Sequence, residues 1–326
     1  MISLVIPCCN EEEVLRLTYR TLTEAAAAWF EPIEIVFVDD GSQDDTWAIL
    51  EALAAKDARI RGVRLSRNFG HQAAIGAGLE QARGKAVVIL DADLQDPPRL
   101  IEEMLARWQE GADIVYAQRT RRQAESLFKR AAGHVFYRVL DRCTETPIPR
   151  DAGDFCLLDA RVVRTLRQFR EQGLFWRGLR AWTGYRCAVV HFDRPGRVRG
   201  QSKYTLRKLL ELGGNGLLSF SRWPLRLPLV VGTVVLLMSL SLTCLAAGHR
   251  LATSAEAPWL FPPLLLVVLF LGAVQLFSLG VIGEYLQRIY DEVRGRPRWL
   301  VEKTVGDPPH LDLEPEIVAD GQASPV

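Results

Sequence analysis

Paired cysteines are missing from this sequence. Its 326 residues include six, Cys8, Cys9, Cys143, Cys156, Cys187 and Cys244, and none forms a C-x-x-C pair. Neither a zinc site nor a disulfide framework is indicated. In a reducing compartment the thiols stay free and structural. The five histidines are dispersed, with no metal-ligand spacing. A basic leader is absent as well. "MISLVIPCCNEEE" has a short apolar stretch that ends in acids, so it reads as a first strand rather than a signal peptide. The large N-terminal part is therefore expected in the cytosol. Net charge is only +1. No nucleic-acid partner is expected, and no internal repeat is visible. The length suggests one or two domains.

What the sequence does have is two long uncharged runs, Leu227 to Leu245 and Trp259 to Ile282. At about 1.5 Å per residue, each can cross a hydrocarbon core of about 30 Å. A buried soluble helix is the alternative, and two such runs so close together make it the poorer reading. Arg207, Lys208, Arg222 and Arg226 precede the first run. Arg288, Arg294, Arg296 and Arg298 follow the second, and the loop between holds one Arg and one Glu. The positive-inside rule puts both ends in the cytosol and the loop outside.

The expected division follows: a cytosolic catalytic domain over 1–200, an amphipathic interfacial segment over 201–226, and a first membrane helix over 227–247. A short external loop at 248–258, a second membrane helix at 259–282, a cytosolic juxtamembrane helix at 283–302 and a disordered tail at 303–326 complete it. Leu206, Leu209, Leu210, Leu217 and Leu218 suit a surface-lying helix, which Gly213, Gly214 and Gly216 break. Tyr285, Leu286, Ile289, Tyr290 and Val293 form another apolar stripe.

The first 120 residues alternate strand and helix. Strands are expected at Ile2 to Ile6, Ile33 to Val38, Val63 to Leu65, Ala86 to Leu90 and Ile114 to Ala117. Helices are expected at Glu11 to Trp29 with Asn10 as cap, Asp45 to Ala55 with Asp44 as cap, His71 to Arg83, and Pro98 to Glu110. "DAGDFCLLDARVVRTL" reads as a strand entering a helix. Such alternation implies right-handed crossovers and a mainly parallel α/β sheet flanked by helices.

Ligands in such sheets bind outside the carboxyl ends of the strands. Three polar clusters fall there: Asn10, Glu11 and Glu12; Asp39 and Asp40; and Asp91, Asp93, Gln95 and Asp96. Asp91 and Asp93 are two apart, so in an extended segment both carboxylates face one side. Their repulsion calls for a cation between them. Hard divalent ions favour carboxylate oxygen and keep phosphates as further ligands. Mg²⁺ or Mn²⁺ holding a diphosphate is the expectation, with solvated turn acids as the bland alternative. For Asp96, just before Pro97 and Pro98, helix capping is a strong rival. Asp39 and Asp40 can accept hydrogen bonds from a base or ribose; D-G-S turn chemistry is the rival there.

In this order "VIPCCNEE", "VFVDDGSQDDT", "LSRNFGHQAAIGAGL", "DADLQDPP", "DAGDFCLLD" and "RGQSKYTLRKLL" resemble family 2 glycosyltransferases of the GT-A fold. The similarity is to the membrane-bound polyprenyl-phosphate glycosyltransferases, such as dolichol-phosphate mannose synthases and bacterial undecaprenyl-phosphate glucosyltransferases. It covers about residues 1 to 300, and the paired spans and "GVIGEYLQRIYDEVRGRP" fit it. Cys9 stands where that family commonly has Tyr. The resemblance implies nucleotide-sugar contacts at Pro7, Asn10, Glu11, Asp39 and Asp91, with Asp40 counted beside them from its place next to Asp39. It implies metal ligation by Asp91, Asp93 and Gln95, and a loop over the donor phosphates carrying Arg199, Ser202 and Lys203. Arg119, Ser126, Lys129 and Arg130 match positions near the lipid phosphate. Asp154 matches an acid proposed as catalytic base, and Asp93 and Asp96 are counted with it as catalytic candidates.

The chemistry also stands on the residues. Arg119, Arg121, Arg122, Lys129 and Arg130 form a basic strip, and arginine suits bidentate phosphate contact. A solvated helix face is the alternative. A phosphate monoester is largely dianionic at neutral pH, so a base is less necessary, and Asp154 is expected mainly to orient groups. The implied reaction is inverting transfer of one sugar from a nucleotide sugar, best guessed as UDP-glucose or another UDP-hexose, to undecaprenyl phosphate at the cytosolic face of the cell membrane. GDP-mannose is the alternative donor. A homo-oligomer and a separate downstream flippase are further expectations of the resemblance. A processive synthase would need more spans and a Q-x-x-R-W motif, which is lacking. A degenerate, non-enzymatic scaffold and a flippase or channel are the rivals from other classes. Retention of the acids and cations argues against the first. Spans without internal charge argue against the second.

Overall fold

The computed structural model describes residues 1–29, 31–119, 152–192 and 261–306, with further helical positions between 228 and 241. The expected interfacial segment at 201–226, the loop at 248–258, and Ser126, Lys129, Arg130, Arg199, Ser202 and Lys203 lie outside the described residues.

Apolar runs build the sheet. β1 (Ile2–Cys8) and β2 (Ile33–Asp39) are buried at every position, as strands covered on both faces must be. β3 (Ile60–Leu65), β4 (Ala86–Ile89) and β5 (Ile114–Arg119) follow at the expected places. β6 (Ala152–Asp159) enters a helix as the sequence predicts. β7 (Cys187–Phe192) and β8 (Val301–Val305) were not anticipated. The sheet order is β7-β5-β6-β4-β1-β2-β3-β8. β1 pairs parallel with β2 and β4, β2 with β3, and β5 with β7; β6 and β8 join antiparallel. The chain steps from β1 to β3 on one side and returns to β4 on the other. The tips of β1, β2 and β4 therefore meet at the switch point of the sheet.

The helices are α1 (Leu15–Ala26), α2 (Thr46–Ala54), α3 (His71–Gln81), α4 (Leu100–Gln109), α5 (Ala160–Gln168), α6 (Trp176–Trp182) and α7 (Phe261–Arg294). α1 starts four residues later than expected, and no side chain caps it. Asn10 is instead in the left-handed region, with φ 55°. Asp44 does not cap α2 either: the helix starts at Thr46 with Asp45 at its N-cap, and Asp44, one residue earlier, closes the turn by accepting from Thr46 N at 3.0 Å. α3 lies flat on the sheet because its inner face is small. A Cβ at Gly78 would come within 2.3 Å of Val5, so only glycine permits that approach.

Two expectations change at the far end. The helix expected at 283–302 stops at Arg294. α7 is one helix from Phe261 to Arg294, and the apolar stripe from Tyr285 simply continues its exposed face. Phe270–Arg294 is the one helix among the described residues long and apolar enough to cross a membrane; most of the first expected membrane helix, at 227–247, lies outside the described residues. The tail expected from 303 instead begins as a strand. β8 pairs with β3, and Trp299 just before it is buried in the core.

Candidate active site

The three clusters do converge. Cys8 at the end of β1 stands opposite Asp39 at the end of β2, and Asp40 N donates to Cys8 O at 2.9 Å. Asn10 ties these tips together: its N donates to Ser42 Oγ at 2.9 Å, and its Oδ1 accepts from Gln43 N at 2.8 Å. Glu11 N donates to Thr46 Oγ1 at 2.9 Å. Pro7 is buried within β1.

The tandem acids of β2 have different surroundings. Asp39 is fully buried; its Oδ1 accepts from Ser42 N at 3.0 Å, while Oδ2 has no hydrogen-bond partner among the described residues. Burial pushes its carboxyl up, against the hydrogen bonds from Ser42 and the charge of Arg64. Asp40 spends its oxygens on the loop before α3, accepting from Phe69 N at 2.7 Å and Gly70 N at 2.9 Å. Its carboxyl is also raised by burial. The adjacent Asp39 is thus the better acceptor for a ligand.

The β4 tip is a tight turn. Leu94 sits at φ 57°. Asp96, buried, accepts from Asp91 N at 3.2 Å, and Asp93 Oδ1 accepts from Gln95 N at 3.1 Å. Asp96 therefore closes the turn, and the N-cap position of α4 is taken by Arg99. Gln95 is buried, unlike the half-exposed Asp91 and Asp93. Thr18 Oγ1 donates to Ala92 O at 2.6 Å, pinning the turn to α1.

Asp154 enters from β6. Because β6 runs antiparallel to β4, with Ile89 opposite Cys156, its first residues reach the β4 tip. Arg177 donates to both Asp154 oxygens at 3.0 Å, and Gln72 Nε2 donates to Oδ2 at 3.3 Å. Buried Arg180 donates to Asp154 O at 3.2 Å. His71 Nε2, at the start of α3, lies 3.4 Å from Asp154 Oδ2 and 3.6 Å from Asp91 Oδ1. Burial alone would raise the Asp154 carboxyl, but Arg177 and His71 hold it well below the usual carboxylate range. Burial likewise opposes a charged His71, yet Asp154 and Asp91 push it up to about 9. Sequence reasoning missed His71, Gln72, Arg177 and Arg180. The "FGHQ" stretch carried the first two within a motif without assigning them a role.

A divalent ion can be tested on these donors. Asp91 and Asp93 offer hard carboxylate oxygen, and among the described residues no group of three His, Cys, Asp or Glu side chains forms a cage. Mg²⁺ is commonly held by one or two carboxylates with waters and substrate phosphates. The tip fits an ion that arrives with a diphosphate. Arg119 ends β5 opposite Phe192. A cleft of about 360 Å³ between Arg107, Glu110 and Arg186 lies along α4 and β7, away from these tips.

The profile of glycosyl transferase family 2 matches residues 3–167. An uncharacterized glycosyltransferase of Synechocystis is 43% identical over 94% of this chain and 96% of its own. The SfII prophage-derived bactoprenol glucosyl transferase of Shigella flexneri is 38% identical over 93% of this chain and 98% of its own. A solved structure of glucosyl-3-phosphoglycerate synthase from Mycobacterium tuberculosis, with Mn²⁺, UDP-glucose and phosphoglyceric acid, is 19% identical. It has a TM-score of 0.46 and spans 67% of this chain and 79% of that one. The family profile and the near full-length relatives settle the assignment: the chain belongs to glycosyl transferase family 2, and it is a glycosyltransferase.

Proposed function

We propose that this enzyme moves one sugar from a nucleotide sugar to polyprenyl phosphate at the cytosolic membrane face, with inversion. The relatives named bactoprenol glucosyl transferases support a polyprenyl acceptor and favour glucose as the sugar, with UDP as the nucleotide of this reading. The apolar helix α7 supports a membrane location. The observation that carries the reading is the placement of Asp39, Asp91 and Asp93 at the tips of β2 and β4, the two strands flanking β1, with one buried Asp39 oxygen lacking a hydrogen-bond partner among the described residues.

In this reading Asp39 accepts from the nucleotide base. Asp91 and Asp93 would hold Mg²⁺ or Mn²⁺, which when bound neutralises the leaving diphosphate. An acceptor phosphate oxygen bonds to the anomeric carbon as the bond to the diphosphate breaks, and its electron pair leaves with the nucleotide. The acceptor needs no proton removed, because its monoester is already largely dianionic. Asp154, locked in its ion pairs, orients α3 and α6 rather than taking a proton. Arg119, Ser126, Lys129 and Arg130 are the proposed lipid-phosphate contacts, and Arg199, Ser202 and Lys203 the donor-phosphate loop. The product is a lipid-linked sugar for use beyond the membrane.

The test is transfer by purified full-length protein in detergent, with undecaprenyl phosphate, Mg²⁺ or Mn²⁺, and a panel of UDP and GDP sugars. One lipid-linked sugar from one donor is expected, abolished by chelator and by Asp93→Asn. A folded protein that uses no donor on the panel defeats the reading.

A further inference from the structure

β8 reaches the sheet from beyond α7, and it pairs with β3, the neighbour of the strand β2 that ends in Asp39. Arg64 stands opposite Lys303, but Leu65 stands opposite Val301. Glu302 is skipped in the register, a β-bulge, and bulges re-aim side chains. Glu302 Oε2 lies 3.3 Å from Arg64 Nε; Asp39 Oδ2 lies 3.7 Å from the same nitrogen. Neither contact is a hydrogen bond. Arg64 Nε and Asp39 Oδ2 are both buried without a hydrogen-bond partner among the described residues. The guanidinium rests on Ser42 O at 3.4 Å and over the Trp47 ring at 5.9 Å.

Arg64 is thus shared between two carboxylates. With Asp39 as its sole anion, a guanidinium beside a buried carboxylate closes into a bidentate fork. That fork would occupy Asp39 Oδ2. The second anion, Glu302, lies closer to the same nitrogen and opposes the closure. We propose that Glu302 is a positioning residue for the donor: it holds Arg64 off Asp39 and keeps Asp39 Oδ2 open to accept from an N–H of the nucleotide base. The inference rests on the reading of Asp39 as a nucleotide contact. It means that the donor site is completed by a strand that follows the membrane helix.

The test uses the full chain in detergent with Mg²⁺. Binding of UDP and of GDP is measured by calorimetry, and transfer is measured with donor and acceptor varied in turn. Glu302 is 43% exposed, so Glu302→Gln should fold and melt like wild type. Its nucleotide Kd and donor KM should rise about tenfold, equivalent to about 1.4 kcal/mol. kcat and acceptor KM should not move, and Glu302→Asp should recover part of the affinity. Unchanged nucleotide affinity in Glu302→Gln, with weakened affinity in Asp39→Asn, overturns the positioning role and leaves the underlying reading intact. Unchanged affinity in Asp39→Asn, or a wild type that binds neither nucleotide, overturns that reading itself. A lowered Tm with equal losses in kcat and both KM values marks a fold defect and also overturns the role.

Discussion

Arg177 grips Asp154 with two parallel hydrogen bonds, Nε to Oδ1 and Nη2 to Oδ2, each 3.0 Å. A carboxylate held this way is a poor proton acceptor. Asp154→Asn keeps the shape and strips the charge, leaving Arg177 and fully buried Arg180 without their anion. Removing one partner of a buried pair costs about 3–5 kcal/mol. The variant should melt well below wild type, yet below its melting point it should transfer sugar faster than Asp93→Asn. Equal loss in the two folded variants would make Asp154 a reacting group.

The strand-tip acids were legible because an apolar run that breaks off into acids marks the carboxyl edge of a sheet, where ligands bind. Their division of labour was not. Asp39 and Asp40 are the same residue type side by side, and their hydrogen-bond partners, Ser42 against Phe69 and Gly70, are set by how the loops fold. Arg177 and Arg180 come from a short helix far along the chain, without a motif of their own. β8 was missed for a different reason. "VEKTV" alternates apolar and charged residues over only five positions, and next to an acidic, Pro-containing tail it reads as more of the same. Its pairing is supplied by β3, which local sequence does not encode.

His71 bridges Asp91 and Asp154 and is charged at neutral pH. Its folded pKa, about 9, stands above its ordinary 6.5. Its stabilising effect is therefore full below about 6.5 and is lost as pH rises through about 9. His71→Gln should melt below wild type at pH 6, and the gap should close by pH 10. If Asp91 ligates the metal as proposed, transfer should fall about 10–100-fold, the usual effect of removing a partner of a metal-ligating group. A melting gap that widens with pH would contradict this account.

Asp57 offers a pH test far from the chemistry. Arg59 donates to it from both Nε and Nη2, and Tyr19 OH donates to Oδ2 at 2.9 Å. Hydrogen bonds from Arg59, against burial, bring its pKa from 3.8 down to about 2. Arg59 is half in solvent, so screening trims the contribution to about 1–2 kcal/mol. The folded value is depressed, so that contribution is present above the unfolded pKa and lost as pH falls through about 2. Asp57→Asn should therefore lower Tm at pH 7 and match wild type near pH 2. A difference that persists at pH 2 would point to lost packing instead.

The exit of α7 is clamped to the sheet domain at α3. Trp299 is buried against Gly76, where a Cβ would come within 2.6 Å of its ring. Arg298 donates to Phe169 O at 2.7 Å, and Gln172 Nε2 donates to Arg296 O at 2.7 Å. Gly76 lies one helical turn beyond Gln72, whose amide touches Asp154. Overpacking at such a contact costs about 1–3 kcal/mol, and Trp→Ala in a core about 3–5 kcal/mol. Gly76→Ala should lower Tm modestly, and Trp299→Ala more. Because the strain of Gly76→Ala falls on the ring of Trp299, the double variant should be less destabilised than the sum of the two. Strict additivity would show that α3 and the helix exit are not coupled through this contact. The position of His71 and Gln72 would then be set by the sheet alone.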